Sequence, residues 1–260
     1  MENQYAENIK KGMKVEIVTR QSKIAHGIVD DLAARENFHA KGILVRLKSG
    51  EIGRVQKILL DDMDKNKKNF EEIKKMIQNG EDLKTEFKSS ALWSFDYTNE
   101  QIKNSKSYEV HTHKQKASKV IIAKSIAALL NSEGGNLVIG VKENKLENNF
   151  DIVGIQDELK KLIDGSIDGY RRMLIDEVLR QYFPAKIYNH INDYIKIEFV
   201  DCVSEKQEKK LLCWIRIMRS DVRVFLQLTG KEVFMIRTDT QSRALEGEEL
   251  VDYCMKRFSK

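Results

Sequence analysis

Proline is almost missing from this chain: one residue in 260, Pro184. It stands where a helix pattern over 170–182 runs out, and its ring is expected to stop that helix. Cysteine is scarce as well. Cys202, Cys213 and Cys254 are odd in number and far apart, which argues against a disulfide scaffold and for a reducing cytoplasm. No Cys-x-x-Cys or His-Glu-x-x-His spacing occurs, so a structural zinc site is not expected. No run approaches the ~18 apolar residues of a membrane-crossing helix, and no membrane partner is expected. The first residues are polar and charged without a signal-peptide pattern, again consistent with the cytoplasm. A Gly-x4-Gly-Lys-Ser/Thr loop is also lacking. The Gly134-Gly135 pair follows a helix pattern and precedes a strand pattern, the reverse of a phosphate-cradling loop, so ATP is not expected as a cofactor.

What is present suits a folded chain with a wet surface: 41% hydrophobic and 33% charged residues. The length suggests one large domain or two unequal ones. Net charge is +5, compatible with a polyanionic partner without being diagnostic. The charge is uneven. Residues 1–60 hold seven lysines and four arginines against seven acids, a net +4.

That first stretch alternates in strand fashion over Met13–Thr19, Ala25–Leu32, Gly42–Leu47 and Glu51–Leu59, with a tight turn at Lys48-Ser49-Gly50-Glu51. Four or five short strands in about sixty residues imply a small barrel. Arg46, Lys48, Arg54 and Lys57 lie on adjacent expected strands. They could form a phosphate-binding face; a merely solvated barrel surface is an equal alternative. The wording of the segments Gly12–Val18, His26–Val29, His39–Leu47 and Gly53–Gln56 resembles the YwbE family over residues 8–60. That resemblance implies an SH3-like or KOW-like barrel of a kind that often touches RNA.

Residues 61–80 read as a charged linker helix with a thin apolar stripe of Phe70, Ile73, Met76 and Ile77, ending at Asn79-Gly80. Its expected role is spacing or docking. Thr98–Gln115 has little apolar content, several lysines and the pair His111 and His113. It is expected to be a mobile basic loop, either a substrate clamp or, more plainly, an ordinary surface loop. Beyond it come a helix with Ile122, Ile126, Leu129 and Leu130 on one stripe, turn chemistry at 131–135, and a continuous apolar strand at Leu137–Val141. Strands follow at 150–154, 186–191, 194–203, 211–218, 222–227 and 232–237, and a helix at 246–258 that opens with acids. The expected class is α+β: a small barrel at 1–60, the linker helix at 61–80, and a domain at 81–260 with a mixed sheet flanked by helices.

Two stretches carry the chemistry. In Glu81–Lys88, Glu86 and Lys88 alternate with Phe87, so a strand would turn Phe87 to a core and set the other two on the opposite face. About fifty residues on lies Asn131-Ser-Glu-Gly-Gly, then a strand ending Gly140-Val141; an Ile236-Arg237 segment comes late in the chain. In this order the features resemble the Schlafen AlbA-type domain, over residues 81–260. The resemblance implies nucleic-acid binding. In its nuclease members it implies cleavage of structured RNA such as tRNA by three acidic residues. Glu81 and Glu86 match two of these. The third normally follows the Gly-Val, where this chain has Lys142 and then Glu143; Asp96 is a fallback.

Phosphodiester cleavage needs an activated water and relief of charge on phosphate, which a carboxylate-held Mg²⁺ or Mn²⁺ supplies. On that reading Glu81, Glu86 and Glu143 hold the metal, and Lys88 pairs with them or holds the phosphate. A spacing of five requires a bend near Asp82-Leu83. The plainer reading of Glu86 and Lys88 is an exposed strand pair. Arg216, Arg219, Arg237 and Arg243 are candidate phosphate contacts, or else surface ion pairs. The expected partner is RNA, tRNA or rRNA first and DNA second, and the expected assembly is a homodimer. Two functions stand: a metal-dependent endoribonuclease, and a non-catalytic nucleic-acid-binding regulator that lacks the third ligand.

Overall fold

The structure is a computed structural model. It describes residues 2–34, 36–59, 62–147, 149–204 and 207–259, with no side chain described for Asp62 or Met63. The chain divides into two compact units, Met1–Asn69 and Phe70–Lys260.

In the first unit, β1 (Lys14–Thr19), β2 (Ile24–Leu32), β3 (Leu44–Leu47) and β4 (Ile52–Leu59) form a closed antiparallel barrel. The period-two pattern explains it. Val15, Ile17, Val29, Val45, Leu47 and Val55 are buried inside, and the residues between them face out. β1 pairs with both β2 and β4, and a bulge between Glu16 and Ile17 sharpens the curvature on the β4 side. Closure leaves no open sheet edge among these strands. Gly53 permits it: a Cβ there would lie 2.6 Å from the Val18 carbonyl oxygen of β1.

In the second unit, β5 (Thr85–Lys88) runs parallel to β6 (Gly135–Ile139). β7 (Val141–Asn144) and β8 (Asn149–Ile152) form a hairpin. β9 (Ile195–Val203) and β10 (Lys209–Ile217) complete a mixed sheet in the order β5-β6-β10-β9. β11 (Phe225–Leu228), β12 (Lys231–Thr238) and β13 (Gln241–Leu245) make a separate antiparallel sheet. The helices are α1 (Asp62–Asn79), α2 (Asn99–Asn104), α3 (Tyr108–His113), α4 (Ala117–Asn131), α5 (Gln156–Leu159), α6 (Ile167–Met173), α7 (Arg180–Tyr182), α8 (Ala185–Tyr188), α9 (Ile191–Tyr194) and α10 (Gly247–Phe258). A π-type turn at Leu174–Leu179 joins α6 to α7. One sheet face packs with α4 in the main core; the other meets a second cluster containing Ile73, Phe87, Val138 and Trp214.

The α+β class holds, and two local expectations are corrected. Of the two roles expected of the 61–80 helix, spacing or docking, its apolar stripe docks. The unit boundary falls inside α1, and Phe70, Ile73, Met76 and Ile77 join the second sheet face, with Ile73 fully buried. Asp61 lies outside the described residues. The expected loop at 98–115 is largely helical. Thr98 and Gln101 form a capping box, Ser107 caps α3, and Ile102 and Val110 are buried. The strand expected at 186–191 is two single-turn helices. Pro184, with φ −65°, stands at the start of α8, and the Pro184 carbonyl accepts from the Ile187 amide at 2.9 Å. Ile187 and Ile191, four residues apart, suit one helix face at least as well as a strand. β13, Gln-Ser-Arg-Ala-Leu, was not expected.

Candidate nucleic-acid site

The Glu81–Lys88 segment starts where α1 stops. Gly80, at φ +80°, turns the chain, and its amide closes onto the Met76 carbonyl at 2.9 Å. The bend demanded by the Glu81–Glu86 spacing follows at once. Asp82 Oδ1 accepts from the Lys84 amide at 2.8 Å, and the Asp82 amide donates to the Thr85 carbonyl at 3.2 Å. Glu81 Oε1 then accepts from the Phe87 amide at 2.8 Å. Phe87 enters the core beside Phe150, and Glu86 and Lys88 share the other face, as the alternation required.

Glu86 is buried, at 5% exposure. Its Oε1 receives the Lys88 ammonium and, at 3.4 Å, the Ser125 hydroxyl of α4. Its Oε2 receives Arg237 Nη1. Arg237 is itself buried at 4%. Its Nε donates to the Asp82 carbonyl at 3.0 Å and its Nη2 to the Thr85 carbonyl at 2.8 Å. The fork of one guanidinium therefore ties β12 to the bend and to the start of β5. Burial lowers the Lys88 pKa, opposed by the nearby Glu81 carboxylate. Burial also lowers that of Arg237, opposed by Glu81, Asp82 and Asp239; an arginine still stays charged.

The Asn-Ser-x-Gly-Gly motif braces the same place. Asn131 is fully buried at the end of α4. Its Nδ2 donates to the Val224 and Met235 carbonyls at 2.8 and 2.9 Å, and its Oδ1 accepts from the Val224 amide at 2.9 Å. Ser132 Oγ accepts from the Arg237 amide at 2.9 Å. The Ser132 carbonyl accepts from Arg257 Nε and Nη2 at 3.1 and 3.0 Å. Gly134 and Gly135 are needed for contact: a Cβ would lie 2.6 Å from the Ile217 oxygen in one case and 2.3 Å from the Lys84 oxygen in the other. The motif is a polar clamp that sets β12, and with it Arg237, against β5.

The three-carboxylate arrangement is not formed. Among the described residues no group of three His, Cys, Asp or Glu side chains is placed to hold a metal. Both Glu86 oxygens face cations. Glu143 is exposed on the β7–β8 hairpin opposite Phe150, because Gly140, at φ +103°, ends β6 and starts a new direction. Asp96 pairs with Lys161. The residues present do not fit a divalent ion: Glu86 already meets two cations, and Glu81 is bonded to the Phe87 amide.

Arg237, expected as a phosphate contact, is a buried structural residue, because β12 delivers it beneath the bend. Arg216 pairs with Glu198 at 3.1 Å and Glu72 at 3.8 Å and lies 3.7 Å over the Trp214 ring. Arg219 meets Glu133 at 3.4 Å, and Arg243 forms a two-pronged pair with Glu249. On the barrel, Arg46, Lys48 and Lys57 are exposed. Arg54 donates to the Gly42 carbonyl at 2.9 Å and pairs with Glu36 at 3.4 Å.

Sequence reasoning missed Glu158. Its buried carboxylate accepts from the Ser90 and Tyr170 hydroxyls and, at 2.8 Å, from the Leu92 amide. It anchors the chain leaving β5. Burial, followed by the Glu158 charge, pushes the Tyr170 phenol well up. Nothing in Gln-Asp-Glu-Leu marks that role.

A closed barrel of about sixty residues and a mixed-sheet unit braced by an Asn-Ser-x-Gly-Gly clamp define a two-part protein. Comparison with known proteins assigns both parts. Residues 81–246 match the family model described as Schlafen, AlbA_2, and residues 2–58 match the one described as Uncharacterized conserved protein (DUF2196). Over 63 residues the chain is 41% identical to a protein named Uncharacterized protein YwbE from Bacillus subtilis (strain 168), covering 23% of this chain and 97% of that one. The chain belongs to the Schlafen AlbA_2 family and carries a YwbE-type barrel before that domain. The family binds nucleic acid and includes nucleases.

Proposed function

We propose that this protein binds nucleic acid, RNA in the first place, without a metal centre at the Glu81–Lys88 site. One observation carries the reading: Glu86, the carboxylate a metal would need, is buried between Lys88 and Arg237. The exposed cations Arg46, Lys48 and Lys57 supply the barrel's share of the phosphate contacts. Such binding weakens with salt, in proportion to the number of phosphates neutralised.

The second reading is a metal-dependent endoribonuclease acting on structured RNA such as tRNA. It draws on Glu81, Glu86 and Lys88 lying together at the start of β5. Incubating the purified protein with tRNA and a labelled duplex, with Mg²⁺, Mn²⁺ or EDTA, decides between the two. The binder shifts both nucleic acids and leaves them intact in every condition. Metal-dependent cleavage abolished in Glu81→Ala and Glu86→Ala, with binding retained, would sink our reading. A homodimer belongs to the same proposal, since one AlbA-type lobe covers one side of a duplex; light scattering should give about twice 30.2 kDa.

A further inference from the structure

The barrel unit carries an exposed aromatic pair. Tyr5 and Phe38 are 45% and 52% exposed, with ring centroids 5.0 Å apart and planes tilted by 51°. They lie on neighbouring strand-like segments joined by an antiparallel bridge, in which the Ala6 amide donates to the Asn37 carbonyl and the His39 amide to the Gln4 carbonyl, each at 2.9 Å.

The platform is held from beneath. Asn3 Nδ2 donates to the Val55 carbonyl at 2.9 Å, and Gln4 Nε2 donates to the Ala40 carbonyl at 2.7 Å. Gly42 presses so close to β4 that a Cβ there would overlap the Val55 oxygen. Gln56 of β4 donates to the Lys41 carbonyl at 3.1 Å. Two half-exposed rings are thus fixed in place, with His39 and the exposed Lys41 within three residues of Phe38. Glu36, the nearest acid in that loop, is paired with Arg54.

We infer that Tyr5 and Phe38 form a stacking platform for unpaired bases of a single-stranded nucleic acid. Lys41, and Lys57 on β4, meet the adjoining phosphates. Each base offers a flat π-face that an exposed ring can cover without regard to sequence. The local charge of +4 over residues 1–60 complements a polyanion. A second protein copy fits worse. Two half-exposed rings cannot supply the ~800 Å² per partner of a stable interface. The inference rests on the nucleic-acid reading above and adds the strand type and the residues.

The test is fluorescence anisotropy of the full chain with labelled uridine and thymidine oligomers of equal length and with an RNA hairpin. Tyr5→Ala/Phe38→Ala should weaken binding to the single strand about tenfold or more. The salt slope should stay the same, because no phosphate contact is removed. The uridine and thymidine arms tell whether RNA or DNA supplies the base. Phe38→Leu, which keeps apolar bulk but not the π-face, should already lose affinity, and Phe38→Trp should keep it. Unchanged single-strand affinity in folded variants overturns the platform and leaves the general reading intact if the hairpin still binds. A wild-type dimer that becomes monomeric in the double variant overturns it in favour of self-association. No binding to any oligomer by the wild type overturns both.

Discussion

Replacing Arg237 with methionine separates a structural arginine from a phosphate-contacting one. In the fold described here the change strips Glu86 of one of its two cations, takes from the Asp82 carbonyl its donor at 3.0 Å, and takes from the Thr85 carbonyl the nearer of two donors, at 2.8 Å, leaving it the Asp82 amide at 3.2 Å. Breaking a buried ion pair by removing one partner costs about 3–5 kcal/mol, and the two lost carbonyl contacts fall within that figure. For a unit of this size, each kcal/mol moves the melting temperature by about 2–4 °C, so a drop of about 6–20 °C is expected.

Tryptophan fluorescence reads this selectively. Trp93 and Trp214 are the two tryptophans of the chain, and both lie in the Phe70–Lys260 unit, so a barrel transition leaves the signal untouched. Glu86→Gln/Arg237→Met removes the uncompensated charge and should recover a substantial part of the loss; non-additivity of this kind is the mark of a direct pair. Arg237→Lys keeps the charge but not the fork and should fall between. A drop of less than about 2 °C, or a double variant as unstable as the sum of the singles, refutes the reasoning. If Arg237 instead served a phosphate, stability would stand and nucleic-acid binding alone would fall.

Three further outcomes are expected. Burial raises the thiol pKa of Cys202 to about 11 and raises Cys213 further; Ellman's reagent at pH 8 should therefore leave both unmodified in the native protein and titrate all three cysteines in guanidinium. Asn131→Ala unpairs three buried backbone groups of β12 and the β11 approach and should cost about 3 kcal/mol, read as a lower urea midpoint by tryptophan fluorescence. Burial, helped by Lys124 and opposed by Glu109, lowers the His113 pKa. The unfolded chain then takes up the proton first, so His113's contribution to stability is complete above the ordinary value of 6.5 and is lost as pH falls below it; His113→Gln should flatten that part of the urea midpoint between pH 7.5 and 5.5.

The barrel was readable from residues 1–60 because alternation is its own signal. Val15, Ile17, Val45, Leu47 and Val55 announce one buried face whatever the rest of the chain does. The order Glu81, Glu86-Phe87-Lys88, Asn131–Gly135, Ile236-Arg237 was equally readable; the bend between the two glutamates was only permitted by the sequence, and the Asp82 contacts to Lys84 and Thr85 are what make it. The partner of Glu86 was not. Arg237 acts 152 residues away from Thr85, and an arginine near a chain's end carries no local mark of burial. At 98–113 the opposite failure occurred. The caps at Thr98 and Ser107 are local and visible, but polar composition outweighed them, because only Ile102 and Val110 there reach the core. For α1, the apolar stripe was seen but its target was not: the far face of a sheet that includes Trp214, 144 residues after Phe70, leaves no trace in the helix.

The charge balance at β5 is what links fold to function here. A divalent ion entering beside Glu86 would have to displace a cation already in contact with that carboxylate. Lys88 is the displaceable one: its side chain is 26% exposed, and burial already weakens its hold on a proton. Arg237 is not displaceable, because moving it breaks its bonds to the Asp82 and Thr85 carbonyls and loosens the Ser132 contact that seats β12. The ion would then share Glu86 with a fixed positive charge at contact distance, and with Glu143 exposed on its hairpin no third carboxylate offsets the repulsion. The same arrangement costs a nucleic-acid binder nothing. An internally bonded cluster holds the bend, β5 and β12 in fixed relation, while Arg46, Lys48 and Lys57 are exposed on the barrel; on the reading proposed above, they are the charges that meet a polyanion.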